Sequence, residues 1–567
     1  DGDRIYAVIK GIGSSSDGRY KSIYAPRASG QARAVARAYQ DAGVSPASIG
    51  LVEAHGTGTA AGDPTEFSGL NEVFSHNNPR RQHIGLGSIK SQIGHTKAAA
   101  GAASLVKVAL ALHHKVLPPT LNVDKPNPKM DIENTPFYVN AKTRPWIKPA
   151  DGTPRRAGVS AFGFGGTNFH FVLEEHTAEP TDNYRLHRVP QTILLSASTP
   201  AQLLTKGQEA IAQLQSAEAE SAFLNLAQTS QQPVAKLNAR LGFVAQDATE
   251  AAELLQTSLT LLQKDTNAEE WQHPKGIFYR KSGIDTAGKV VALFPGQGSQ
   301  YVEMGKELAL NFPEVRQAFH DIDQLFIAEN KPALSETVFP IPAFDGETRE
   351  AQKMTLQLTE NVQPAIGAFS YALFKLLSQA GFKPDFAAGH SFGELTALWA
   401  GGVLSDNAFF YLMKERGQAM AAPSDPNFDA GTMLAVKGAV TEIYNEVQSL
   451  QGVEIANYNS TQQVVLAGSQ TAIQNAERHL KAKGYLATPL PVSAAFHTPL
   501  VGHAQQPFAQ AIQRTPFSAP RIPVYTNTTS QPHSSHPEAI QQSLQGHILN
   551  PVLFQQEIEN IYNAGGT

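Results

Sequence analysis

A layered α/β fold in several domains is predicted, and three observations predict it. Short strand-like apolar runs alternate with helical patterns, glycine turns stand at strand ends, and the 567 residues are several times the length of one typical domain. Composition agrees with that class: 41% hydrophobic and 17% charged residues, with 45 Gly and 36 Pro, is the mixture of a globular enzyme rather than of a disordered or membrane chain. A net charge of -5 without any Lys/Arg-rich face argues against nucleic acid and against the membrane as partners. No run of about 18 apolar residues occurs, and the opening DGDRIYAVIKGIG lacks the order of a signal peptide, so a cytoplasmic setting is expected. Cysteine is absent, which excludes disulfides, thiolate metal sites and a cysteine nucleophile within these residues. No metal-ligand cluster and no dinucleotide-binding glycine motif follows a strand, so no metal and no redox cofactor is expected. The chain starts at Asp1 in a strand-like run, Ile5 to Ile9, and reads as a piece of a longer polypeptide.

Taken in order, residues 1–176 carry strand-like runs at Arg4–Lys10, Ile49–Ala54, Ile84–Ser88 and Phe169–Glu174, with helical patterns at Gly30–Ala42 and Thr96–His113. The tract Leu117–Arg156 is rich in proline, which neither a helix nor a central strand tolerates, and it is expected to wrap over a surface. Residues 177–288 contain helical stretches at Ala201–Ala217 and Thr249–Leu262 without glycine loops or clustered titratable groups, and read as a small α+β linker domain without chemistry. A new domain, 289–567, opens at Lys289 with VVALFPGQGSQ, a buried strand running into a glycine turn. Within it, about 431–490, the order strand, helix Thr441–Leu450, strand Val453–Asn459, strand Gln463–Ala467, helix Ala472–Lys483, strand Leu486–Pro489 is that of a ferredoxin-like insert.

Strand Phe386–Ala388 leads into Gly389-His390-Ser391-Phe392-Gly393 and then into a helical pattern, Glu394–Gly401. Two glycines let the backbone turn sharply and present the serine hydroxyl, while the helix start offers N–H groups to a developing oxyanion, as in an α/β-hydrolase-like core. The bland alternative is a glycine turn that merely caps a helix. A serine nucleophile needs a base, and His497 stands in the apolar, proline-bounded loop Val492-Ser493-Ala494-Ala495-Phe496-His497-Thr498-Pro499. No acidic residue completes a hydrolase triad by motif, so a backbone carbonyl is one way to orient the imidazole. Esterase or thioesterase chemistry stays open on these residues alone.

GQGSQ (Gly296 to Gln300), Gln363-Pro364-Ala365, GHSFGE (Gly389 to Glu394), Arg416, AAFH and Asn550-Pro551-Val552-Leu553-Phe554 occur in this order, and together they resemble the malonyl-CoA:acyl carrier protein transacylase family over about Val290 to Thr567. The resemblance implies Ser391 as nucleophile, His497 as general base, and the carbonyl of Asn550 holding its tautomer. It implies an oxyanion hole from Gln297 and the Phe392 N–H, where loss of one donor costs about 2.7–4 kcal/mol. Arg416 would fork onto the free malonyl carboxylate, Gln363 would shape the pocket, and the bulky Phe496 would leave little room for an α-methyl group. The implied substrate is malonyl-CoA, and the acceptor is the phosphopantetheine thiol of an acyl carrier protein, by ping-pong kinetics.

Glu53-Ala54-His55-Gly56-Thr57-Gly58-Thr59, Gly62-Asp63-Pro64, Lys90-Ser91-Gln92-Ile93-Gly94-His95 and Gly163-Phe164-Gly165-Gly166-Thr167-Asn168 resemble the C-terminal half of a thiolase-like β-ketoacyl synthase. That resemblance implies roles for His55 and His95 at the enolate-like charge of decarboxylation, for Lys90 in ordering them, and for Phe164 beside the acyl pocket. The family's cysteine belongs to the preceding half, so that missing N-terminal half is an expected partner, and this ketosynthase site is expected to be vestigial on its own. At the other end, relatives are expected to continue into a last strand beyond Thr567. The sequence of parts resembles a type I multienzyme, a polyketide synthase or a polyunsaturated fatty acid synthase, and the linker tract inclines toward the second. A docking scaffold without catalysis is the rival for residues 1–288.

Overall fold

The computed structural model describes residues 3–566 apart from 20, 21, 23, 24, 177–189, 236, 284–287, 424, 426, 427 and 493. Two compact units are formed, residues 1–180 together with 289–567, and residues 181–288. Among the described residues no helix is long and apolar enough to cross a membrane.

In the first unit, a six-stranded mixed sheet runs in the order Val8–Ser16, Thr167–Glu174, Arg156–Phe162, Leu51–Glu53, Ile84–Gly87, Phe137–Val139. The first three are antiparallel neighbours and the last four pair in parallel. The opening strand lies C-terminal to the expected Arg4–Lys10, because Gly11 and Gly13 belong to it. Helix Ala28–Ala42 presses on these glycines so closely that a Cβ would stand 2.4 Å from the Ala38 carbonyl oxygen at Gly11 and 2.0 Å from that of Ala34 at Gly13. Glycine here permits close helix–strand packing and does not mark a break. Strand Arg156–Phe162, which the sequence left unassigned, is buried with almost no alternation, so it shows no period of two.

The proline-rich tract contributes an edge strand, Phe137–Val139, and a short pair, Val116–Leu117 with Arg144–Pro145. Proline is compatible with these positions because they are sheet margins. Buried Arg144 donates to the hydroxyl of Tyr138 and to the carbonyl of Phe339, and His320 Nδ1 lies 3.1 Å from the Lys148 carbonyl. The tract thereby joins the first sheet to helices of the C-terminal region.

Residues 289–566 are built on a parallel pair, Val291–Phe294 with Phe386–Gly389, widened by single bridges Ala387–Val524 and Lys289–Gly566. Helices Thr359–Gln379, Phe392–Ala400 and Asp406–Ala419 bury a large apolar core around it. The insert is a four-stranded antiparallel sheet ordered Val453–Ser460, Gln463–Gly468, Thr432–Lys437, Leu486–Pro489, with helices Val440–Val447 and Gln470–Ala482. This is the ferredoxin-like βαββαβ arrangement. Tyr458 N–H donates to the Val552 carbonyl, and Val552 N–H to that of Ala456, each at 2.9 Å, so the insert is stitched to the loop after Asn550.

The second unit is a four-stranded antiparallel sheet, Glu270–His273, Ile277–Arg280, Ala239–Ala245, Gln191–Ala197, with helices Pro200–Leu214, Ala219–Thr229 and Ala248–Lys264, an α+β domain with its own core. Thr199 and Asp247 cap two of these helices by accepting from Gln202 N–H and Glu250 N–H.

Candidate active site

Ser391 stands between strand Phe386–Gly389 and helix Phe392–Ala400 with φ 51 and ψ -109. A non-glycine residue in that conformation stores about 1–3 kcal/mol and persists only where its surroundings enforce it. The glycines of G-x-S-x-G supply the space: a Cβ on Gly389 would lie 2.1 Å from the Gly393 backbone, and one on Gly393 would lie 2.2 Å from the Phe294 carbonyl oxygen. The turn therefore folds back on itself and against the first strand of the pair. Phe392 opens the helix, a position whose N–H has no carbonyl one turn earlier in the helix. Gln297 follows Gly296, which is pressed so near the His390 carbonyl oxygen that a Cβ would be 2.4 Å from it, and the buried Oε1 of Gln297 has no hydrogen-bond partner among the described residues.

His497, remote in sequence, brings Nε2 to 2.7 Å from Ser391 Oγ. Its Nδ1 lies 3.0 Å from the Asn550 carbonyl and 3.2 Å from that of His547, so two backbone oxygens and, among the described residues, no carboxylate face that nitrogen. Both ring nitrogens are thus assigned by their partners: Nδ1 carries the proton, and Nε2 is free to accept one from the serine. His497 too has a positive φ, 62. Burial first, then His547, Arg416 and His390, holds its pKa well below the ordinary value, which keeps the imidazole neutral.

Arg416, on helix Asp406–Ala419, is fully buried. Nη1 donates to Gln363 Oε1 at 2.7 Å, while Nε and Nη2, the adjacent edge of the fork, have no partner among the described residues. Burial brings its pKa down to about 10, against an upward pull from Glu394, so the group remains a cation at neutral pH. The guanidinium lies 5.8 Å over the ring of Phe392, which follows the serine. Phe496, next to the base, is buried in the same apolar core.

Comparison with known proteins now bears on this geometry. Residues 291–566 match the family "Acyl transferase domain", residues 6–124 "Beta-ketoacyl synthase, C-terminal domain", and residues 126–244 "Ketoacyl-synthetase C-terminal extension". An acyl-carrier-protein-S-malonyltransferase from Bartonella henselae is 32% identical over 49% of this chain and 86% of that one, with a TM-score of 0.43. Residues 291–566 belong to the acyl transferase family. The acyltransferase domain from module 8 of the salinomycin polyketide synthase, 20% identical over 66% of this chain and 83% of its own, shares the fold with a TM-score of 0.55. Over its whole length the chain is 37% identical to one of the polyunsaturated fatty acid synthase polypeptides of Thraustochytrium sp., of which it spans 21%.

Beneath the elbow the acyltransferase domain holds a polar network that the motifs did not disclose. Glu394, the last residue of GHSFGE, accepts from Asn527 N–H at 2.8 Å and stands 2.9 Å from His533 Nε2 and 3.5 Å from His547 Nε2. Burial alone would raise its carboxyl, but the two histidines and the Asn527 N–H outweigh burial and bring it to about 2. Glu557 is the opposite case: burial, then Glu394, pushes it up to about 8. His390 reaches outward, Nε2 to Asn459 Oδ1 of the insert at 2.8 Å. The one sequence signal for Asn527 is an amide two residues after the apolar Val524–Tyr525, past Thr526, at the end of a chain segment bridged to the serine strand.

In the ketosynthase C-terminal domain, His55 and His95 lie with ring centroids 5.3 Å apart, edge to face. Burial, then Lys90 and His95, lowers His55 to about 4. Lys90 Nζ and His55 Nδ1 are buried without a partner among the described residues, and Glu66 accepts from the N–H groups of His55 and Gly56 at 2.7 and 2.8 Å. Phe164 is 76% exposed. Among the described residues no group of three or more His, Asp or Glu side chains could hold a metal ion.

Proposed function

We propose that the acyltransferase domain moves a malonyl group from malonyl-CoA through an ester on Ser391 to the phosphopantetheine thiol of an acyl carrier protein, as part of a cytoplasmic multidomain synthase of the polyunsaturated fatty acid or polyketide kind. The observation that carries it is the 2.7 Å contact of Ser391 Oγ with a neutral His497 beside a buried Arg416 whose Nε–Nη2 edge is unpartnered among the described residues. Ser391 Oγ attacks the thioester carbonyl as its proton passes to His497 Nε2. The tetrahedral oxygen takes hydrogen bonds from the Phe392 N–H and Gln297, and coenzyme A leaves as a thiol with the proton from His497. The carrier thiol then gives its proton to His497 and attacks the ester, and the released Ser391 recovers that proton.

The free edge of Arg416 matches a carboxylate bidentately, with Gln363 fixing the guanidinium from its other side. An acetyl group would leave this buried cation without its counter-charge, which disfavours it. Phe496 narrows the pocket against an α-methyl group, and the Asn550 carbonyl, joined by that of His547, keeps the His497 tautomer. In the ketosynthase part, taken as 1–176 ahead of a linker at 177–288 and the transferase at 289–567, His55, His95, Lys90 and Phe164 form a site that has no thiolate among these 567 residues, of which none is Cys. Condensation then requires the ketosynthase half that brings the cysteine.

Intact-mass measurement after exposure to a panel of acyl-CoAs tests this. Malonyl-CoA adds a stable malonyl ester, acetyl-CoA adds little, Ser391→Ala abolishes the gain, and Arg416→Ala shifts preference toward monocarboxylic groups. Release of free malonate without an accumulating ester would assign a thioesterase instead.

A further inference from the structure

Glu394, Asn527, His547 and Glu557 are all buried, at no more than 1% exposed, within one network behind the serine, and the transfer chemistry uses none of their side chains. At the centre is Asn527. Its Oδ1 accepts the Ser391 N–H at 2.6 Å, and its Nδ2 donates to the Gly389 carbonyl, also at 2.6 Å. One planar amide thus grips the backbone on both sides of His390, at the two points where the strand ends and the positive-φ serine begins. Its orientation follows from its partners, since only an oxygen can face the N–H and only an NH2 the carbonyl.

We propose that Asn527 is a positioning residue for the transfer reaction, the clamp that holds Ser391 in its positive-φ conformation with Oγ on His497. This rests on Ser391 being the nucleophile. Asn527 touches neither the acyl group nor the base, and it acts through the serine backbone. The clamp is itself held: Nδ2 also donates to Glu557 Oε2 at 2.6 Å, the Asn527 N–H donates to Glu394 Oε2 at 2.8 Å, and His547 Nε2 stands 3.3 Å from Oδ1. The clamp also occupies the N–H of Ser391. That donor is therefore withdrawn from the oxyanion, and the Phe392 N–H, which starts the helix, takes its place. Without the amide, the Ser391 peptide is free to rotate, which moves Oγ away from Nε2 and turns that N–H.

The test is the single-turnover rate of Ser391 acylation by malonyl-CoA in the full chain, read by quenched intact mass. Asn527→Ala is expected to slow acylation by about a hundredfold, with the half-saturating malonyl-CoA concentration essentially unchanged, because a misplaced nucleophile costs rate and not binding. Asn527→Asp keeps the oxygen for the Ser391 N–H and regains the donor toward Gly389 only when protonated. Its rate relative to the parent is therefore expected to rise from about pH 8 to about pH 6, a response that a purely structural role would not give. Should Asn527→Ala not fold, by circular dichroism, the Asp variant decides alone. Parent-like acylation in Asn527→Ala, or a pH-independent ratio in Asn527→Asp, overturns the clamp. Malonyl mass gain in Ser391→Ala would instead overturn the underlying assignment of the nucleophile, so the two failures are told apart.

Discussion

His497 accepts a proton only while its imidazole is neutral, and burial with His547, Arg416 and His390 around it holds the pKa well below 6.5. A lowered pKa leaves the base working as pH falls, so the acylation rate is expected to stay level from about pH 8 to about pH 6; a decline with a midpoint near 6.5 would mean an imidazole open to water. Glu557, pushed up to about 8, is shifted in the opposite direction to Glu394, brought down to about 2. A carboxyl whose folded pKa is raised gives stability that is complete below its unfolded pKa and is lost as pH rises through the folded one. Glu557→Gln keeps a neutral group toward Asn527 and removes that loss. The variant's melting temperature should therefore gain on the parent's between about pH 5 and about pH 8, and a constant difference across that range would contradict a protonated Glu557.

The strand–turn–helix element around Ser391 works because two glycines let backbone meet backbone. A Cβ at Gly389 would sit 2.1 Å from the Gly393 carbonyl carbon and oxygen, neither of which is a flexible side-chain tip. Gly389→Ala is expected to open the turn and abolish labelling of Ser391 by malonyl-CoA, with melting lowered by the equivalent of about 1–3 kcal/mol. The same logic applies where helix Ala28–Ala42 crosses the first strand, since a Cβ at Gly13 would meet the Ala34 carbonyl oxygen at 2.0 Å. Gly13→Ala belongs to packing alone, so stability should fall by a similar amount while Ser391 labelling persists.

At the scale of the whole molecule, Arg144 links the proline-rich tract to the acyltransferase domain by donating to the hydroxyl of Tyr138 and the carbonyl of Phe339. Arg144→Ala leaves two buried acceptors without this donor, at about 1–3 kcal/mol, and denaturant unfolding should show that loss while the acylation rate of Ser391 stays at the parent value. A cavity of about 500 Å³ lies along this same junction, lined among others by His83, Trp146 and Asp323, and not at the serine. The void adjoins the contacts whose loss the Arg144 variant measures.

What the sequence determined by itself was local. Gly389 to Gly393 between a strand and a helix, and the βαββαβ insert with Leu486–Pro489 at its expected ends, were legible because neighbouring residues dictate turns, caps and periods. The strand Arg156–Phe162 was not legible, because a strand buried on both faces loses its alternation, and Val8–Ser16 was displaced because glycines that admit a helix look like a break. Only the tertiary structure decided that Ser391, His497 and Asn550 meet, that Gln363 holds Arg416 over the ring of Phe392, and that Glu394, Asn527, His533, His547 and Glu557 form one buried network. Those contacts join residues far apart in the chain, and the charge or neutrality of each group is set by burial and by partners that no local pattern specifies.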